Sequence, residues 1–155
     1  MNNQTDSAYA LQRILRSEIP ITQQIGVVVA AYDGRRLTLA APIGPNNNQH
    51  ATAFAGSLNA VVTLAGWGLV WILLREAGLE ATIVIQDSAS QYRKPVTHDF
   101  TASCQKPDDG LINHFLRMLR TKSKARLELQ AEIRENDTVA MSFHGRYVAQ
   151  LSVQP

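Results

Sequence analysis

Hydrophobic and polar residues follow two different periods along this chain, and the switches between them divide it into elements. Leu11, Ile14, Leu15 and Ile19 recur at the i, i+3, i+4 spacing of an amphipathic helix over residues 5 to 19. Thr5, Asp6 or Ser7 can cap that helix, and Pro20 ends it. A β-branched run, Gly26 to Tyr32, then leads through Asp33-Gly34 into Leu37, Leu39 and Ala41 in alternation, the pattern of a tight hairpin. Pro42 stops the second strand, and residues 44 to 50 are a loop of Gly, Pro, Asn, Gln and His.

The next stretch breaks both patterns. From Ala51 to Leu74, 24 residues pass without one Asp, Glu, Lys, Arg or His. That length would suit a transmembrane span. Thr52, Ser57, Asn59 and Thr63 interrupt its first half, however, and Gly56, Gly66 and Gly68 thin it further. Alternating strands surround it, with no second apolar segment. We therefore expect a core helix, about residues 54 to 77, buried on all sides and stopped by Gly78.

Beyond it, Ala81 to Val96 reads as a long strand with Pro95 near its end. Phe100, Ala102 and Cys104 alternate as a further strand. Pro107-Asp108-Asp109-Gly110 opens a helix with Leu111, Ile112, Phe115, Leu116 and Leu119 on one side. Leu127, Leu129, Ala131 and Ile133 then alternate with charged and amide side chains, Glu135-Asn136-Asp137 turns the chain, and Val139 to Val153 returns. The expected fold class is α+β: about six antiparallel strands that can bury one wholly apolar helix only by curling around it. Uncovered apolar surface on that helix implies a partner subunit.

Composition narrows the functional classes. At 155 residues, with 45% hydrophobic and 18% charged residues, the chain reads as one globular domain over residues 1-155. A net charge of +2 without a basic block argues against nucleic acid as a partner. Cys104 is the sole cysteine, so neither an internal disulfide nor a paired-cysteine metal site can form. The polar start, Met1 to Ser7, is unlike a signal peptide, which points to the cytoplasm.

Two local motifs give these elements a family. Asn48, Ala51 and Phe54-Ala55-Gly56 stand at the spacing of a loop Asn, a Gly and the His-Gly-Gly that opens the central helix in hotdog-fold thioesterases. Tyr92-Arg93-Lys94-Pro95-Val96 resembles the Y-x-[RK]-P segment on the strand that follows. The run Ala53 to Leu58 is similar to the thioesterase domain of the YiiD C-terminal type, which some bacteria fuse behind a GNAT acetyltransferase. The resemblance covers residues 20 to 153 and implies a hotdog fold, an acyl-CoA or acyl-carrier-protein substrate and a homo-oligomer, either a dimer or a dimer of dimers. It implies no cofactor, coenzyme A entering only as part of the substrate. Two departures stand out: Phe54 replaces the motif's His, and Thr63 occupies the position of a helix carboxylate that many relatives use.

Thioester hydrolysis needs an oxyanion acceptor and an activated water. Free N–H groups near Ala55 and Gly56 at the start of the central helix could receive the carbonyl oxygen. Gly56 serves packing equally well. Asn48 could orient water or carbonyl, or simply form the turn. His50 is the titratable group nearest the motif, with the alternative of a surface residue. Asn59 and Thr63, four apart on one helix face, could hold a water or could satisfy neighbouring carbonyls. Asp87 could supply the missing carboxylate from a facing subunit or merely face solvent, and Ser57 lacks a His or Asp at a recognisable spacing. Arg93 and Lys94 are candidates for the nucleotide end of coenzyme A, as are Arg120 and Lys122, which with Arg117 and Lys124 could instead complement a helix dipole. Trp67 and Trp71 could line an acyl channel or pack at a core or dimer contact. A non-hydrolytic acyl-thioester-binding module is the alternative function, favoured by the absent helix carboxylate.

Overall fold

The computed structural model describes residues 2–152. Helices α1 (Asn3–Glu18) and α2 (Ile21–Ile25) precede strands β1 (Val28–Tyr32) and β2 (Arg36–Ala41). A short 3-10 turn, Gly44–Asn46, leads to helix α3 (Ala55–Glu76) and then to β3 (Ala81–Tyr92) and β4 (Phe100–Gln105). Helix α4 (Asp109–Lys122) and the hairpin β5 (Lys124–Glu135) and β6 (Thr138–Leu151) complete the chain. All six strands pair antiparallel in one sheet, in the order β1-β2-β4-β5-β6-β3.

The alternating residues do what their period requires. Leu37 and Leu39 of β2, Phe100, Ala102 and Cys104 of β4, and Leu127, Leu129, Ala131 and Ile133 of β5 are all buried against α3. From α3 itself, Val61, Val62, Leu69, Val70 and Ile72 reach 0% exposure. Each such side chain contributes about 1.5–3 kcal/mol by leaving water, which is why a helix without charges is stable here. Two-thirds of its most apolar stretch is buried, so α3 is a core helix of a curled sheet. It is not covered on every side within one chain, which limits the expected all-round burial and leaves the uncovered surface that the sequence also led us to expect. Asn59, Ala60, Thr63, Trp67 and Trp71 are only half-buried, and their four-residue spacing makes one stripe facing β3.

Several boundaries differ from the sequence reading, each for a local reason. Asn2, not Thr5 to Ser7, caps α1, its side chain accepting from Gln4 N–H at 3.3 Å. Pro20 ends α1 by serving as N-cap of α2, which Gly26 closes at φ +79°. Strand β3 stops at Tyr92 and not at Val96, because Arg93 and Lys94 both donate to Ala140 O and the chain then leaves the sheet. Leu111 is 54% exposed, while Ile112, Phe115 and Leu119 carry the inner face of α4. The β5–β6 turn uses Asn136 and Asp137 at φ +48° and +62°, the left-handed pair that a two-residue hairpin demands. Val153 lies outside the described residues.

Candidate active site

The loop before α3 is built around an asparagine that the motif reading passed over. Asn46 is 2% exposed, and its amide donates to Ile25 O at 2.8 Å and Pro42 O at 2.7 Å. Its own carbonyl accepts from Phe54 N–H at 2.7 Å, so one residue fixes where α3 begins. Nothing in a Gly-Pro-Asn-Asn-Asn run distinguishes this Asn from its neighbours.

Asn48 folds the same loop from the other side. Its amide donates to Thr52 Oγ1 at 2.8 Å, and its side-chain oxygen accepts from the N–H groups of His50 and Thr52. Its hydrogen-bonding atoms thus hold the turn in which Ala51 takes φ +58°. His50 is exposed on that turn and is held through its backbone N–H, which donates to Asn48 Oδ1 at 2.9 Å.

Helix α3 opens without a side-chain cap. Phe54 is its N-cap residue, and the helical ladder starts with Leu58 N–H to Phe54 O at 3.1 Å. Among the described residues, the N–H groups of Ala55, Gly56 and Ser57 have no protein acceptor, the ordinary condition of a helix's first turn. The Phe54 ring lies over Gly56, and a Cβ on Gly56 would collide with it. Ala55 and Gly56 remain exposed beside this ring.

One turn on, Asn59 Oδ1 accepts from Ser90 Oγ at 2.9 Å, joining α3 to the inner face of β3. Tyr92 OH approaches Ala55 O at 3.4 Å. Thr63 Oγ1 donates back to Asn59 O at 2.7 Å, so its hydroxyl proton is committed to the helix. Trp67 Nε1 donates to Ile83 O at 3.2 Å, and the Arg75 guanidinium lies 5.7 Å from the Trp71 ring centre. Ala55, Gly56, Asn59 and Thr63 are thereby brought together with Ser90 and Tyr92 along one seam. Tyr92 was read from sequence only as the first residue of the strand-end motif, and Ser90 was not singled out, though its two-residue spacing from Tyr92 on the same strand was the available signal.

The basic candidates separate. Arg93 and Lys94 follow Tyr92 directly, near the open end of α3. Arg120 reaches Ala77 O at 3.5 Å, at the opposite end of α3, and Lys122 belongs to the same helix end. A 22-residue helix puts about 33 Å between those ends. Asp87 sits at a β3 bulge on the solvent face and pairs with Arg146 at 3.1 Å. Among the described residues, His, Cys, Asp and Glu side chains form no cluster of three.

A carboxylate and an imidazole do meet close to this loop, from residues distant in sequence. Glu135 is 8% exposed and accepts from Thr97 N–H at 2.9 Å and Thr97 Oγ1 at 2.8 Å, with His98 Nδ1 at 2.7 Å. Burial pushes the Glu135 carboxyl up, but these three partners outweigh it and hold it at about 2. The segment is tied to the pre-helix loop by Ala53 N–H to Val96 O at 2.8 Å and Ile43 N–H to Asp99 Oδ1 at 2.9 Å.

Against known proteins, the family model described as "Putative thioesterase (yiiD_Cterm)" matches residues 8–151. A solved structure of a protein of unknown function from Chlorobaculum tepidum superposes with a TM-score of 0.90 at 30% identity, covering 94% of each chain. A putative thioesterase from Shewanella oneidensis superposes at 0.85 with 27% identity, covering 96% of this chain and 99% of its own. A thioesterase from Haemophilus influenzae shares the fold at a TM-score of 0.71 with 14% identity, covering 95% and 92%.

Proposed function

This chain belongs to the yiiD_Cterm thioesterase family and has the hotdog fold of its relatives; on that premise we propose that it hydrolyses acyl thioesters of coenzyme A or an acyl carrier protein. The observation that carries the reading is the uncapped first turn of α3, exposed at Ala55 and Gly56 beside Asn59, Ser90 and Tyr92. Its N–H groups and the positive end of the helix dipole suit a carbonyl oxygen that becomes an oxyanion. Water attacks the thioester carbon, a C–O bond forms, and the carbonyl electrons move onto that oxygen. Collapse breaks the C–S bond, and the water's proton passes to the departing thiolate. The Asn59–Ser90 pair is placed to hold the water. Asn48 positions the loop, with His50 exposed at its rim. Arg93 and Lys94 face the phosphates of the substrate, whereas Arg120 and Lys122 neutralise helix ends.

A second copy of the chain completes the site in this account. Strand β3 is a 12-residue sheet edge whose strand interior carries no Lys or Pro to discourage pairing. It exposes Tyr92 and leaves Ile83 and Ile85 half-buried beside the stripe of α3. Edge pairing there covers Trp67 and Trp71, and the acyl chain runs along the covered stripe. The active species in this proposal is a homodimer or dimer of dimers, and its assignment to the cytoplasm and to fatty-acid metabolism is part of the same proposal.

Initial rates with a panel of acyl-CoAs and one acyl carrier protein, read with a thiol reagent, test the proposal. Thiol release above background supports it, and none at any chain length removes the hydrolase claim. Thr63 favours a second reading, since a hydroxyl committed to Asn59 O stands where many relatives place a carboxylate. Tight acyl-CoA binding without turnover selects that non-hydrolytic binding module.

A further inference from the structure

On the solvent face of the sheet, opposite α3, lies a depression of about 620 Å³ that shares only Arg93 with the residues assigned to the thioester substrate. Strand register assembles it: Arg36 of β2 stands opposite Gln105 of β4, and Gln130 of β5 opposite His144 of β6. In the next row Ser103 faces Glu132, Glu132 faces Ser142, and Ser142 faces Gln91. Arg93 and Arg134 close one side.

We infer that this face binds a phosphate-bearing small molecule through Arg36, Arg93 and Arg134. Each guanidinium is fixed by its Nε: Arg36 to Gln105 at 3.1 Å, Arg93 to Ser142 at 2.8 Å, Arg134 to Glu132 at 2.7 Å. Further bonds run from Arg93 to Gln91 at 3.0 Å and from Arg134 to Asp137 O at 3.1 Å. Among the described residues, both terminal nitrogens of Arg36 and one each of Arg93 and Arg134 have no protein acceptor. Pre-set guanidinium forks of this kind match phosphate oxygens. Three arginines against the single lining carboxylate, Glu132, leave a charge of +2, equal to the net charge of the whole chain. Farther along the face Arg146 is already paired: it bridges Asp87 and Glu128, each at 3.1 Å, and His144 Nε2 lies 3.3 Å from Glu128. The volume suits a nucleotide-sized ligand, and the Gln and Ser side chains offer partners for hydroxyl groups.

Calorimetric titration of the full chain with adenosine 3′,5′-bisphosphate, pyrophosphate and uncharged adenosine tests this without any turnover, so its result is independent of hydrolysis. Both phosphate ligands should bind with Kd below about 1 mM at low salt, weaken as salt is raised, and leave adenosine inert. Arg36→Gln and Arg134→Gln should each raise Kd by about tenfold. Arg16→Gln, on α1, should not. Competition by coenzyme A would assign the site to the nucleotide end of a substrate. Competition by ATP but not coenzyme A would assign it to a separate phosphorylated effector. The inference is overturned if neither phosphate ligand binds, or if binding is unchanged in folded Arg36→Gln and Arg134→Gln proteins. It is also overturned if those substitutions change only the oligomer mass by light scattering, which would make the face a contact between copies.

Discussion

The Tyr147 hydroxyl donates to the backbone carbonyl of Thr63 at 2.7 Å, pinning α3 to β6 at the level of the candidate site. Tyr147 is 0% exposed, and its ring occupies the space over Gly66, where a Cβ would collide with the hydroxyl. Gly66 is therefore required by a close approach, at some cost in helix propensity. Burial pushes the Tyr147 phenol far above its ordinary value, so it stays a donor throughout the working pH range.

Removing the hydroxyl with Tyr147→Phe should destabilise the protein by about 1–3 kcal/mol, since the substitution strips the bond from a buried carbonyl. Gly66→Ala should cost about as much or more through overpacking. Urea unfolding monitored by circular dichroism measures both. Wild-type stability in Tyr147→Phe would remove this contact from the account.

Glu135 gives stability a defined pH dependence. Its folded value of about 2 lies below the ordinary 4.5. Stabilisation from this carboxylate is therefore complete above about pH 4.5 and is lost as pH falls toward 2. Glu135→Gln should be less stable than wild type at pH 7, and the gap should close below pH 3. Denaturant midpoints across that range check the sign.

Cys104 is 0% exposed, and burial pushes its thiol up to about 12. Native protein should not react with Ellman's reagent at pH 8, whereas urea-unfolded protein should release one equivalent. Rapid labelling of the native fold would contradict the packing of β4 against α3.

Truncating Asn59 to Ala should lower kcat/KM by about 10- to 100-fold with KM little changed, because the lost group acts on the attacking water. A rise in KM alone would assign Asn59 to substrate binding.

Much of this architecture was legible because burial and periodicity coincide. The uncharged run gave α3 within one residue at each end, and Leu127 to Ile133 gave β5, since a two-residue period admits only one inner face. Less was legible where tertiary contacts decide. Pro20 terminates one helix and begins another, and periodicity cannot separate those uses over five residues. Arg93 leaves the sheet because of Ala140, a residue 47 positions away. The site divides in the same manner. Asn59 and Thr63 follow from helical spacing and Gly56 from the motif resemblance, whereas the approach of Ser90 and Tyr92, the loop role of Asn46 and the meeting of His98 with Glu135 depend on strand register and loop packing.

The most direct test of the central claim is kcat/KM of Gly56→Val on the best acyl-CoA substrate. The added methyl groups displace Phe54 and fill the approach to the free N–H groups, while Phe54 itself is 57% exposed and free to move. The account predicts a fall of about 100-fold or more, the scale of a lost oxyanion donor, with the melting temperature little changed. Undiminished turnover in that variant, or no turnover in the wild-type protein, would contradict it.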